Sequence, residues 1–427
     1  MAPVEEYSQV GWGKFPTVTF CWANRLPEGP MEVLMLTLCS LSFFLCQGPQ
    51  AALASSSSDT RLAQDPVVRE EEWFRREEGP AGSKLFWPQG AWMACLGDQD
   101  GDGSLDQIGD IDALAWWPLT ANPGPSPQDF VFSTVSSTAL YEDGDLLRLS
   151  TSQGLVVEVP ESEFLAALQP TSGGFDLDAA AVQNSEIWFS VGTDLGGTVL
   201  GSVADGDVLV YDRTLRTVRL EHSEADIQAM VDQATGGSSA FGDLLSLSFY
   251  PATGELAFTV QSPSSLDASV FGSGNGGRLL PGWEETDWNF QQATELDALS
   301  FPPVDLPQAP LLLLDLPRAA PGSLVRFSAR HAATQSWVEG YRALRLAHQS
   351  QPGMGIGFTW LDPSDPFLIE QVQRGNTHPH LTDGSGSATF SWTTPNLPPG
   401  WSHLDLYFQM WDHGGQAWSP PIVLRVE

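Results

Sequence analysis

Six residues between positions 98 and 110 offer oxygen ligands at the spacing of a tight cation-binding loop: Asp98, Asp100, Asp102, Ser104, Asp106 and Asp110. Odd positions of such a loop point inward. Asp98, Asp100 and Asp102, at its positions 1, 3 and 5, can therefore wrap one hard cation, and calcium takes oxygen ligands of this kind. Gly103 supplies the sharp turn at position 6, and Asp106 falls at position 9. Position 12, where a bidentate carboxylate would complete the shell, is Gly109; Asp110 arrives one residue late and serves only if the loop bulges. The competing reading is a solvated acidic turn.

Other polar clusters are weaker. Asp143-Gly144-Asp145 and Asp205-Gly206-Asp207 are hairpin-turn signals before they are metal signals. The pairs Asp110/Asp112 and Asp176/Asp178 put two carboxylates on one strand face, aimed at an ion or at the amides of a neighbouring unit, and a structural role is the stronger reading. Burying them alone would be costly, so each is expected to have a partner. Pro379 between His378 and His380 restricts their convergence on zinc. Trp360, Trp401, Trp411 and Trp418 suit a sugar-stacking platform, although such aromatics are more often core or rim. The sequence has no His-Glu-x-x-His, no Gly-x-Ser-x-Gly and no phosphate-binding Gly-x-x-x-x-Gly-Lys. A glycosidase needs only two well-placed acids, but nothing marks a pair, and no catalytic residue is assigned.

The elements that must carry these groups recur. Asp110-Ile111-Asp112-Ala113-Leu114 returns as Asp176-Leu177-Asp178-Ala179-Ala180 and Glu295-Leu296-Asp297-Ala298-Leu299, with a degenerate copy at Asp243-Leu244-Leu245-Ser246-Leu247. A recurring phrase of this size predicts one structural unit used several times, each copy burying its apolar face on the next. Each unit continues with an aromatic strand ending in Ser or Thr (Phe132-Ser133, Phe189-Ser190, Phe258-Thr259), an Asp-Gly turn, a third strand and a short helix. Helices are expected from Ser162 to Leu168 and from Ser223 to Met230, both capped by the serine. Units of three or four strands plus a helix predict a mainly β, propeller-like body over residues 84–305, with three units and the head of a fourth visible. Beyond a Pro-rich joint, residues 306–427 carry six strand signals and read as a β-sandwich.

The balance of 53 acidic against 19 basic residues, net −34, repels phosphate backbones, so nucleic acid is excluded as a partner. Val33 to Cys46 is an apolar run followed by Ala52-Leu53-Ala54, the pattern of a signal peptide with cleavage after Ala54. The run is too short for a membrane span. Residues 1–54 are therefore read as N-terminal extension and signal peptide, with Met31 rather than Met1 as the start, and 55–83 as a charged linker. The mature chain keeps only Cys95, so no disulfide framework is expected.

With these residues in view, the Asp98–Asp110 loop resembles the calcium loops of EF-hands and dockerins. The Asp-x-Asp-Ala-Leu and Asp-Gly-Asp phrases resemble repeats of secreted bacterial proteins, and Pro321-Gly322-Ser323, Leu381-Thr382-Asp383-Gly384 and Leu406-Tyr407-Phe408-Gln409 resemble a C-terminal Ig-like β-sandwich of similar surface proteins. The resemblance implies an exported, non-catalytic protein and supplies no catalytic residues. The expectation is a secreted or cell-surface binding or structural scaffold stabilised by calcium, with an extracellular glycan or cell-surface protein as partner. The alternative is a secreted glycan-active hydrolase.

Overall fold

The computed structural model describes residues 51–427 apart from 57–59, 62–66, 69–71, 78–82, 118–128, 151–153, 238–240, 262–265, 285–287, 289–295, 303–309, 353–357 and 374–377 and positions 100, 103, 136, 139, 267 and 282. Short apolar runs broken by Gly, Asp and Pro favour strands over long helices. The fold is accordingly mainly β, with many antiparallel sheets. Among the described residues no helix is long and apolar enough to cross a membrane.

Four antiparallel sheets of four strands each carry the first part of the chain. β1 (Ala51–Ser55), β2 (Trp73–Glu77) and β3 (Ser83–Trp87) lead to α1 (Gln89–Leu96). The second sheet takes β4 (Ala113–Trp116), β5 (Phe130–Ser133), β6 (Leu146–Ser150) and β7 (Gly154–Val159), then α2 (Glu161–Leu168). The third takes β8 (Leu177–Gln183), β9 (Glu186–Val191), β10 (Val208–Asp212) and β11 (Thr217–His222), then α3 (Glu224–Thr235). The fourth takes β12 (Leu244–Phe249), β13 (Leu256–Val260), β14 (Phe271–Gly272) and β15 (Arg278–Leu279). β16 (Ala298–Ser300) then returns to the first sheet and pairs antiparallel with β1, Ser55 opposite Ala298. The leading strands pack in turn: β4 on β8, β8 on β12, β12 on β16 and β16 on β4.

The recurring phrases have specific structural duties. The hydroxyl that ends each aromatic strand donates to the backbone at the head of the next sheet: Ser133 Oγ to Leu177 O at 2.8 Å, Ser190 Oγ to Leu244 O at 3.5 Å and Thr259 Oγ1 to Leu296 O at 2.9 Å. The second aspartate of each Asp-Gly-Asp turn ties its own turn to the following helix. Asp145 accepts from the amides of Glu142 and Glu161, and Asp207 from those of Ala204 and Glu224. Glu72 does the same for α1, accepting from Gln89 N at 2.8 Å. The bonds to Glu161, Glu224 and Gln89 each satisfy a helix N-terminal amide that would otherwise lack a partner. α3 starts as expected, with Ser223 in a capping box with Asp226. α2 does not: its N-cap is Pro160, and Asp145 takes over the role expected of Ser162.

Two boundaries read from the sequence shift. Ala51–Ser55 is a buried strand flanked by β16 and β2, so cleavage after Ala54 would remove four of its five residues. Within the stretch read as linker, Trp73–Glu77 is a strand whose Trp73 and Phe74 are fully buried. Trp73 packs edge-on against Trp92 at 5.0 Å and against Phe130 at 5.6 Å. Edge-to-face pairs of this kind contribute about 0.5–1.5 kcal/mol each beyond the area they bury.

The last part of the chain forms two facing sheets. One holds β17 (Leu311–Leu314), β18 (Leu324–Arg330) and β21 (Ala388–Thr393). The other orders β23 (Ile422–Val426), β22 (Leu404–Asp412), β19 (Trp337–Ala343) and β20 (His378–Leu381), and α4 (Pro366–Gln373) packs on β19. Leu312, Phe327, Val338, Leu406, Met410 and Leu424 fill the space between them. α1 lies against β23, where Met93, Ala94 and Leu105 bury Val423.

Candidate functional site

All four leading strands run from an acidic end to an aromatic end. At their C-terminal ends they line one cavity of about 480 Å³. Its walls are Ala115, Trp116 and Trp117 from β4 and the residue after it, Ala181 to Asn184 around the end of β8, Ser248 to Pro251 around the end of β12, and Ser300 with Phe301. Aromatic contacts fix the rim: Trp116 against Phe130 at 5.0 Å, Phe249 against Trp188 at 5.2 Å, and Tyr250 against Phe301 at 5.4 Å. Arg213 lies 4.7 Å from the Trp117 ring centre, and Arg148 donates to the Trp117 carbonyl at 2.8 Å. The polar groups on the walls are neutral, namely Gln183, Asn184, Ser248 and Ser300; no carboxylate is among the lining residues. Flat apolar faces beside amides and hydroxyls match a neutral polyol or saccharide ligand. None of these residues was singled out from the sequence. The available signal was an aromatic residue three positions after the alanine or serine of three of the four recurring phrases, at Trp116, Phe249 and Phe301.

At the opposite end the strands are headed by Asp112, Asp178, Asp243 and Asp297. Asp112 and Asp297 are 8% and 9% exposed. Burial, and behind it the carboxylates of Asp178, Asp176, Asp297 and Asp110, pushes Asp112 up to about 9. Burial raises Asp178 too, helped by Asp243, Asp176 and Asp205. Asp176 rises to about 6 and Asp243 to about 7, in both cases chiefly through burial. The expectation that each would find a partner is met in part: the Asp176 carboxylate accepts from the Leu177 amide, while no hydrogen bond reaches the carboxylates of Asp112 and Asp178 among the described residues. Asp178 Oδ2 and Asp176 Oδ1 are buried without a hydrogen-bond partner among the described residues. The reason is topological: the strands converge head-on, so each aspartate meets the aspartates of the neighbouring sheets.

The expected calcium loop lies between α1 and β4. Asp100 and Gly103 fall outside the described residues. Asp106 accepts from Gln99 N at 2.6 Å, and Asp102 accepts from Ser104 N at 2.6 Å. Asp98 supports the charged form of Arg425, behind the stronger effect of Asp405. Ser104 and Asp110 are half-buried, and the Asp110 carbonyl accepts from Val135 N. Leu105 is buried and anchors the loop against β23. Among the described residues, the carboxylates whose oxygens all come within 4.8 Å of one another are Glu142 and Asp143, in the turn before β6, and Glu161, the first residue of α2.

In the C-terminal sheets His380 stacks on Phe390 at 4.4 Å, which gives it a packing role. Trp411, Trp418 and Tyr341 form one aromatic group, with centroids 5.0 Å and 5.3 Å apart. Trp401 is exposed. Cys95 is buried in the core, and burial pushes its thiol up, which makes it unreactive.

No family model matches the chain, and no curated protein matches it. Among solved structures, macromomycin aligns at 12% identity and a TM-score of 0.16, over 28% of this chain and 97% of its own. A fungal alcohol oxidase of the AA5 family in complex with copper aligns at 10% identity and a TM-score of 0.18, over 88% of this chain and 62% of its own. Salmonella alpha-2-macroglobulin reacted with methylamine aligns at 12% and 0.18, over 88% of this chain and 26% of its own. Likeness at this level carries no argument about fold or activity.

Proposed function

We propose that this chain is an exported, non-catalytic binding protein. In this reading its first four sheets close as a four-bladed, propeller-like ring. An Ig-like sandwich docks on the ring, and a neutral saccharide is held in the cavity where the four leading strands end. The observation that carries the reading is the lining of that cavity: aromatic faces and neutral hydrogen-bonding groups drawn from all four sheets. Cyclic packing of the leading strands supports the ring. A glycosidase needs two carboxyl groups flanking the scissile bond. The hub carboxylates sit at the far end of strands that rise roughly 3.3 Å per residue, which favours binding over the hydrolase alternative. The partner is an extracellular glycan, and calcium is a structural component rather than a reactant.

The test is a calorimetric and tryptophan-fluorescence titration of neutral oligosaccharides, with reducing ends monitored in parallel. At least one oligosaccharide should bind saturably without cleavage. Trp116→Ala and Tyr250→Ala should each weaken that binding about tenfold, equivalent to about 1.4 kcal/mol. Release of reducing ends, or binding indifferent to both substitutions, would reject the proposal.

A further inference from the structure

We propose that Arg342 forms a binding site for a small organic monocarboxylate between the two C-terminal sheets, with the carboxylate held on its guanidinium. The site does not depend on what the aromatic cavity of the hub binds. Alternate residues of a strand share a face. Val338, Gly340 and Arg342 of β19 therefore point the same way, and Val338 belongs to the core between the sheets. A cation thus stands at a position where the pattern calls for an apolar residue. Arg342 is half-buried, and its guanidinium carbon lies 5.0 Å from the Phe367 ring centre and 5.2 Å from that of Trp392. Its Nε is buried without a hydrogen-bond partner, and no carboxylate pairs with it among the described residues. The buried arginines Arg148 and Arg425 differ, because each pairs with a carboxylate, Glu158 and Asp405 respectively.

Burial disfavours the charge of this guanidinium, and no neighbouring carboxylate offsets the loss. A charge in that position is costly until an anion joins it. The chain has 53 acidic residues against 19 basic ones, so an arginine with none of them as partner is open to an anion from outside. The surroundings set the class of that anion. Phe327, Phe390 and Trp392 from one sheet, with Gly340 and Phe408 from the other, enclose a cavity of about 20 Å³ beside Arg342. That is room for one water-sized group, so a short alkyl body fits and a sugar ring does not. A guanidinium grips a planar carboxylate through two parallel N–H bonds. A phosphate dianion would call for a second cation, and no second charged residue is among those lining the cavity. α4 fixes the arginine in place. Gln371 accepts from Arg342 N at 3.1 Å and donates to Gly340 O at 2.9 Å. Phe367, four residues earlier on the same helix face, supplies one of the two rings.

The experiment uses the full chain at neutral pH. Sodium propionate is titrated by calorimetry, and thermal unfolding is followed in parallel. Propionamide serves as the neutral twin, and sodium chloride at equal ionic strength as the control anion. Propionate should bind saturably and raise the melting temperature by several degrees at saturation. Propionamide and chloride should do neither. Arg342→Met should abolish propionate binding and the rise in melting temperature. Arg342→Lys keeps the charge without the planar fork and should bind about tenfold more weakly. Arg345→Gln replaces an arginine already paired with Asp362 and should bind like wild type. The proposal is overturned if wild type does not respond to propionate, if propionamide or chloride acts as well as propionate, or if Arg342→Met binds like wild type. Should Arg342→Met fail to fold, Arg342→Lys reads the same contact, and undiminished binding by it overturns the proposal equally.

Discussion

A buried carboxylate whose neighbours are carboxylates imposes a pH dependence of fixed sign. Asp112, Asp243 and Asp176 titrate near 9, 7 and 6 in the fold, and Asp178 is raised as well. In the unfolded chain all four lose their protons near 3.9. Their folded values lie above the unfolded one. The stability they contribute is therefore complete below about pH 4 and is lost as pH rises through 6 to 9. In chelator, the melting temperature should fall between pH 5 and pH 9, and Asp112→Asn should flatten the upper part of that fall. A profile that is level over this range, or unaltered by the substitution, would contradict the burial described here. The sequence showed the aspartates and their recurrence, because alternate residues on a strand share a face. It did not show that they would meet one another, since that follows from how strands far apart in the chain converge. The cavity aromatics were missed for the same reason: Trp116, Phe249 and Phe301 come together only at the hub.

Each turn-to-helix tether is a small element with tight clearances. A Cβ on Gly206 would lie 2.6 Å from Glu224 Cγ and 2.7 Å from Phe241 Cε1; on Gly144 it would lie 2.5 Å from Phe175 Cδ1. Gly206→Ala and Gly144→Ala should therefore each destabilise by about 1–3 kcal/mol in urea unfolding. Gly174→Ala, with nothing within 4 Å, should change little and serves as the control. Equal behaviour of all three would remove the tethers from the account. In the C-terminal sheets β18, β21, β22 and β23 were legible in the sequence to within one residue, because hydrophobic alternation bounded by turn residues survives in them, whereas β17 and β20 were not. Nor was Trp73–Glu77. Its arginines read as solvated charge, yet Arg76 is buried with its guanidinium 5.0 Å from the Trp283 ring centre and 5.5 Å from that of Trp288. Ala51–Ser55 was read as a cleavage site because the small residues that let strands pack closely are also those a signal peptidase accepts.

For the molecule as a whole, both ends of the hub depend on one junction, the pairing of β1 with β16. It brings strands from the two ends of the four-sheet region into one sheet, and with it the first and fourth sheets into contact. Without it the aromatic cavity loses Ser300 and Phe301, and the acidic end loses Asp297. Ser55 and Ala298 are directly opposed in that pairing. Opposed residues of antiparallel strands have Cα atoms about 4.5–5.5 Å apart, within the range a disulfide spans. The most direct measurement is oxidation of the native double variant Ser55→Cys/Ala298→Cys, followed by peptide mapping and thermal unfolding. A cross-link between positions 55 and 298 should form in the folded protein and give a higher melting temperature than in the reduced form. Thiols that stay free until the chain is unfolded would contradict the pairing of β1 with β16.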